Sequence, residues 1–110
     1  MTRIARLIGS IAIVGTLFTG TPARAQEIAN AGLTLARQVC SECHAVERAP
    51  ARSPNPASPP FETIANVPGM TGIALSAALQ NPHRSMPNVM LDSNQLGSIV
   101  AYILSLRRSN

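Results

Sequence analysis

Two thiols and an imidazole stand together in the stretch VCSECHAVE, residues 39–47: Cys40 and Cys43, the chain's only cysteines, with His44 directly after the second. Three chemistries use such a group. A disulfide or thiol-exchange pair would need the cysteines alone, but redox pairs of this spacing open a helix that follows a strand in a βαβ unit. Here the segment follows a helical pattern, and no strand pattern lies near it. Zinc needs four ligands in a closed site, or three and a water in an open one. His83 would have to be the fourth, and the adjacent Cys43 and His44 would chelate with strain. Covalent haem attachment uses all three residues at once. The thiols add to the two vinyl groups, and the histidine after the second cysteine reaches the iron from the proximal side. The spacing points to one covalently bound haem c, ahead of zinc and thiol chemistry.

One histidine leaves the opposite position on the iron undecided. A second ligand makes a closed electron-transfer site, whereas an open position invites small ligands or peroxide chemistry. Met70, His83, Met86 and Met90 are the candidates on the C-terminal side. Most methionines fill core space, but Met86 lies in PHRSMPNVML, residues 82–91, bounded by prolines rather than set on a helical stripe. Pro87 stiffens the approach of its sulfur, so Met86 is the expected distal ligand. Met90 is the fallback, read first as a hydrophobe at the entry of the last helix. His83 reads as a surface or propionate-contacting histidine.

The compartment suits that chemistry. Arg3 and Arg6 precede an uncharged run from Leu7 to Gly20, and Ala23-Arg24-Ala25 offers small residues before a cut. This is the layout of a secretory signal peptide. The run is short for a membrane span, which needs roughly 20 apolar residues, and Gly9, Ser10, Gly15, Thr16 and Thr19 dilute it. Cleavage after Ala25 is expected, leaving residues 26–110 as one domain in the periplasm; a retained anchor is the alternative. Three of the nine arginines leave with the leader, and Glu27, Glu42, Glu47, Glu62 and Asp92 nearly balance the rest. The high charge of the precursor therefore says nothing about nucleic acid, and no basic stripe follows a phosphate backbone.

The elements must position the motif within a small domain. Phe61 and Tyr102 are the only aromatic residues after the leader, and chains this small usually need a disulfide, metal or large ligand to complete the interior. Ile28, Gly32 or Leu35, Ala36 and Val39 recur at helical steps, predicting a helix over residues 27–38. Residues 50–60, PARSPNPASPP, contain five prolines. Such a stretch is either a linker or a loop wrapped over a ligand, since fixed φ angles lower the entropy cost of ordering it. A helical turn is expected over 62–66, and a helix over 72–80 that Asn81-Pro82 ends. Asp92 and Gln95 form a capping pair, followed by a stripe of Leu96, Ile99, Val100, Ile103 and Leu104. Arg107 and Arg108 are expected in the last turn, where cations suit the helix dipole. Gly97 should cost about 1 kcal/mol against alanine, unless a neighbouring backbone approaches there. No alternating strand pattern follows the leader, and the fold class is all-α.

Over nearly the whole of residues 26–110 the chain resembles the class I mono-haem c-type cytochromes of bacterial periplasms. The resemblance rests on Gly32 and Ala36 ahead of Cys40-Ser41-Glu42-Cys43-His44, on Met86-Pro87, and on Asp92–Gln95 leading into Val100–Leu106. It implies crossing first and last helices around the haem, with Gly32 against Tyr102. It also implies a proline carbonyl that accepts a hydrogen bond from the proximal imidazole, at Pro59 or Pro60. The macrocycle would be buried among Leu35, Val39, Ile64, Leu75, Leu79, Val100 and Ile103.

The expected function is electron transfer, not enzymatic catalysis, through one haem with His44 and Met86 on its iron and an edge near Cys40–Cys43 for partners. Those partners would be redox proteins: a dehydrogenase, a cytochrome complex or an oxidase. The carrier would be a monomer that meets the membrane only transiently or through a partner. The alternative is a ligand-binding or peroxidatic haem protein whose sixth position is open or labile.

Overall fold

Small residues rather than large ones set how the first helix packs. In a computed structural model the described residues are 22–49, 52–83 and 86–109, and among them the chain is all-α, without strands. The helices are α1 (Pro22–Val39), α2 (Phe61–Ala65), α3 (Gly72–Gln80) and α4 (Ser93–Ser105). The most extensive packing is between α1 and α4, and α4 also meets α3 and α2. A Cβ at Gly32 would lie 2.0 Å from the Ser98 carbonyl oxygen and 2.7 Å from Tyr102 Cβ. The two helices therefore cross at backbone contact, with Gly32 against Tyr102.

The buried face of α1 is Ala29, Gly32 and Ala36, rotated from the stripe read in the sequence. Ile28 and Val39 are exposed, because the close crossing accepts only small side chains and turns the branched ones outward. On α4 the inner face is Ile99, Tyr102 and Ile103, with Val100 and Leu104 half-buried and packed beside Gly72 of α3. Phe61, Leu75, Val46 and Leu106 complete this core.

The ends of the helices follow local rules. Asp92 accepts from the backbone N–H groups of Asn94 and Gln95, each at 2.9 Å, while Gln95 accepts from Asp92 N–H at 3.0 Å. This is the reciprocal capping box. Thr71 caps α3 through Ala74 N–H. Between α2 and α3 the chain turns at Val67-Pro68-Gly69-Met70, closed by Met70 N–H to Val67 carbonyl at 3.0 Å. Gly69 has φ 75°, the left-handed value that the third residue of a type II turn requires.

Two expectations change. The first helix begins at Pro22, ahead of the expected start, and runs through Ala23-Arg24-Ala25; Arg3, Arg6 and the apolar run of the leader lie outside the described residues. Arg107 and Arg108 lie beyond the end of α4 and do not serve its last turn. Arg107 instead donates to the carbonyls of Ala65 and Met70, and Arg108 pairs with Glu62 at 3.1 Å. Leu106, buried in the core, ends the helix and lets these side chains reach back over α2. Among the described residues no helix is long and apolar enough to cross a membrane.

The helix crossing makes two glycine substitutions opposite in sign. Gly32→Ala must push the helices apart and should cost about 1–3 kcal/mol. Gly97, whose Cβ would meet nothing within 4 Å, should gain about 1 kcal/mol as alanine; urea unfolding of the two variants checks both. Tyr102 gives a pH dependence. Its hydroxyl donates to the Val46 carbonyl at 2.6 Å, and burial, then the charge of Glu47, push its pKa up. The folded state thus keeps a proton that an unfolded tyrosine loses near pH 10, so this stability is present below that pH and lost above it. Tyr102→Phe should lower the urea midpoint at neutral pH, losing about 1 kcal/mol, and flatten the alkaline decline.

Candidate haem site

The site is built where α1 ends. Cys40 continues the helix with its N–H on the Ala36 carbonyl, and the N–H groups of Cys43 and His44 both return to the Cys40 carbonyl, at 3.2 and 2.9 Å. This tight turn puts the two thiols and the imidazole on one short arc. The proline-rich segment then folds back over it instead of leaving as a linker. Asn55 N–H donates to the Cys43 carbonyl at 3.2 Å, and Phe61 N–H to the Ala45 carbonyl at 2.9 Å. Ser53, buried, accepts from Ala45 N–H at 3.0 Å. Prolines suit such a wrap because they bring fixed φ angles and no N–H of their own to satisfy.

That wrap delivers one carbonyl to His44. His44 Nδ1 lies 2.7 Å from the Pro59 carbonyl oxygen. A carbonyl can only accept, so Nδ1 carries the proton and Nε2 keeps its lone pair. Pro59, not Pro60, is the acceptor. The imidazole is held from its side as well, since the Phe61 ring lies tilted at 48° with its centroid 5.4 Å away. A metal-binding histidine needs this arrangement, with one nitrogen anchored to fix the tautomer and ring orientation.

His44 and Cys40 line a cavity of about 430 Å³ whose walls include Phe61, Ile64, Leu75, Leu79 and Ile103. Met86 lines it too, as do Met70 and His83. No acidic or basic side chain other than the two histidines is among the lining residues. Cys43 sits in the same turn, half-buried, but is not part of the wall. Met90 is 85% exposed and lies outside the cavity, so the structure separates the two methionines of the 82–91 segment. Leu35, Val39 and Val100 are also outside it: Leu35 and Val100 pack on the protein core, and Val39 faces outward. Their places are taken by Phe61, Met70 and Ala78. Phe61 was legible as a lone aromatic after two prolines; Met70 and Ala78 carry no local mark.

These residues fit a flat apolar macrocycle with a metal at its centre. An apolar cavity of this size suits a small-molecule or cofactor ligand, and among its polar atoms are donors for a metal: the imidazoles of His44 and His83, and soft sulfurs. They fit the other two chemistries poorly. Among the described residues no three His, Cys, Asp or Glu side chains converge as a metal site. Burial pushes the Cys40 thiol up, away from the lowered pKa that makes a cysteine reactive in exchange, and the two cysteines are not bonded to each other.

Comparison with known proteins agrees. Cytochrome c-552 of Bradyrhizobium diazoefficiens is 36% identical to this chain over 76 residues, a stretch covering 69% of this chain and 72% of that protein. No family model and no solved structure matches the chain.

Proposed function

This chain belongs to the c-type cytochromes, and from that premise we propose that it is a one-electron carrier of the periplasm, with His44 and Met86 as the axial ligands of one covalently held haem. The observation that carries the reading is that Cys40, His44 and Met86 line one apolar cavity together. Bound haem would supply a reversible one-electron iron centre. The chain's residues do the rest. Cys40 and Cys43 tether the macrocycle by thioether bonds to its vinyl groups. His44 offers Nε2 to the iron, and its bond to Pro59 holds the ring in register and raises its basicity.

Met86 offers a neutral sulfur, a softer donor than a second imidazole, which favours the ferrous state and a fairly high potential. Phe61, Ile64, Leu75, Leu79 and Ile103 exclude water and lower the local dielectric, which disfavours the extra charge of the ferric form. His44 and Met86, both protein side chains held by the fold, would keep the coordination alike in the two oxidation states of a bound haem. The role is that of a carrier rather than an enzyme. Its partners are redox proteins such as a dehydrogenase, a cytochrome complex or an oxidase, meeting a haem edge beside Cys40–Cys43.

Secretion is part of the same proposal. Residues 22–28 are exposed and the buried face of α1 starts at Ala29, so a cut after Ala25 falls ahead of the first buried residue of the helix. Mass spectrometry of the protein secreted from a strain with haem-attachment machinery should show a chain starting at Gln26 and carrying one haem; an intact N-terminus would mean a retained anchor. Absorption spectra should show a low-spin haem in both oxidation states, with the weak red methionine-to-ferric-iron band in the oxidised form. Met86→Ala should abolish that band and Met90→Ala should leave it. A high-spin wild-type ferrous form that binds carbon monoxide would instead assign the chain to ligand binding or peroxide chemistry.

A further inference from the structure

We propose that His83 is a second distal ligand, which takes the iron position opposite His44 when Met86 leaves it. The inference rests on the haem reading above. His83 lines the same cavity as Met86 and His44, where the sequence ranked it behind Met86 as a surface or propionate-contacting histidine. Its Nδ1 lies 2.9 Å from the Asn81 carbonyl oxygen. As at His44, an acceptor that can only accept places a proton on Nδ1, and in the neutral ring this leaves Nε2 with a free lone pair. Both histidines of the chain are thus in the tautomer, and with the backbone anchor, that metal-binding imidazoles use.

The anchor is itself fixed. Asn81 ends α3, and its side-chain amide donates to the Ala77 carbonyl at 2.7 Å. The carbonyl that orients His83 is therefore tied to a helix rather than to a loose loop. Met86 N–H also donates to the His83 carbonyl at 3.1 Å, so the two donors are tied to each other. Both donors stand between α3 and α4, three residues apart in the chain, so exchanging one for the other leaves the two helices where they are. Met70, the remaining donor in the wall, packs on the hydrophobic core, and its carbonyl accepts from Arg107. It is less free to move than His83, which is exposed.

The two donors differ in the oxidation state they favour. Thioether sulfur suits ferrous iron, and imidazole is the harder ligand, so exchange belongs to the ferric form. In this tautomer Nε2 bears no proton. The step breaks one iron–sulfur bond, makes one iron–nitrogen bond, and moves neither electron nor proton. Its product has two imidazoles on the iron, a lower potential, and no open position for small ligands. His83 would then lower the driving force for accepting an electron whenever the sulfur is lost, without exposing the iron.

The test compares holoprotein spectra of wild type, Met86→Ala, His83→Ala and the double variant, with and without carbon monoxide and added imidazole. Met86→Ala should lose the methionine band yet stay low-spin in the ferric form and take up little carbon monoxide. The double variant should be high-spin, bind carbon monoxide fully, and return to low spin on adding imidazole, which shows that its site is intact. If Met86→Ala is as high-spin and as open to carbon monoxide as the double variant, His83 is not a ligand. A double variant that remains low-spin without imidazole assigns the position to another group, Met70 first, and also overturns the proposal. A wild type without the methionine band overturns the Met86 reading alone, because a spin change on His83→Ala still decides for His83 and no change decides against it.

Discussion

The crossing of α1 and α4 at Gly32 is the constraint on which the rest of the molecule depends. With no room for a Cβ between Gly32 and the Ser98 carbonyl oxygen, 2.0 Å from where one would sit, the two backbones touch. That closeness lets one aromatic residue of α4 bridge to the segment after α1, where the Tyr102 hydroxyl reaches the Val46 carbonyl at 2.6 Å. Val46 follows His44 by two residues, so the arc carrying Cys40, Cys43 and His44 is tied to the far helix. Ile103, one residue beyond Tyr102 on the same helix, is both core and cavity wall. Packing that stabilises the fold is thus the packing that shapes the site.

A second layer of organisation keeps formal charge off the cavity wall. Arg37 pairs with Glu47 at 2.8 Å, and Glu62, little exposed, lies between Arg108 at 3.1 Å and Arg48 at 3.7 Å. Exposed pairs like the first contribute little to stability. The Glu62 cluster has a more specific use, because with Arg107 and Asn66 it fastens the end of the chain to α2, and α2 carries Phe61. The aromatic wall behind His44 is therefore held in part by ionic and hydrogen-bonded contacts well away from it.

Around the iron position the asymmetry is in rigidity. The proximal side is over-determined: a helical turn, two backbone hydrogen bonds and the Ser53 hydroxyl from the returning segment, the Pro59 carbonyl and the Phe61 ring all surround His44. Across the cavity from His44, the residues proposed to face the iron, His83 and Met86, come from the segment between α3 and α4, with Met70 also in the wall. On the reading proposed above, one fixed ligand and an exchangeable pair opposite it would let the potential change while the fold stays the same.

Much of this was legible in the residues themselves. The motif from Cys40 to His44, the capping box at Asp92 and Gln95, the helix over 72–80 and the all-α class all rest on patterns a few residues long, where covalent spacing and hydrogen bonding along the chain decide the outcome. Met86 could be preferred to Met90 because its prolines are neighbours in sequence. What sequence could not decide involves residues brought together from afar. The inward face of α1 was misread because apolar periodicity weights Ile28 and Val39, whereas a backbone-tight crossing selects Ala29, Gly32 and Ala36. Arg107 and Arg108 looked like helix-end charges, and only the return of the chain over α2 gave them other partners. The choice of Pro59 over Pro60 turns on which carbonyl faces an imidazole fifteen residues away in sequence, and the presence of His83 in the cavity turns on how α3 meets α4. Short-range chemistry is written in the order of residues; the meeting of distant groups is set by the packing that closes the fold.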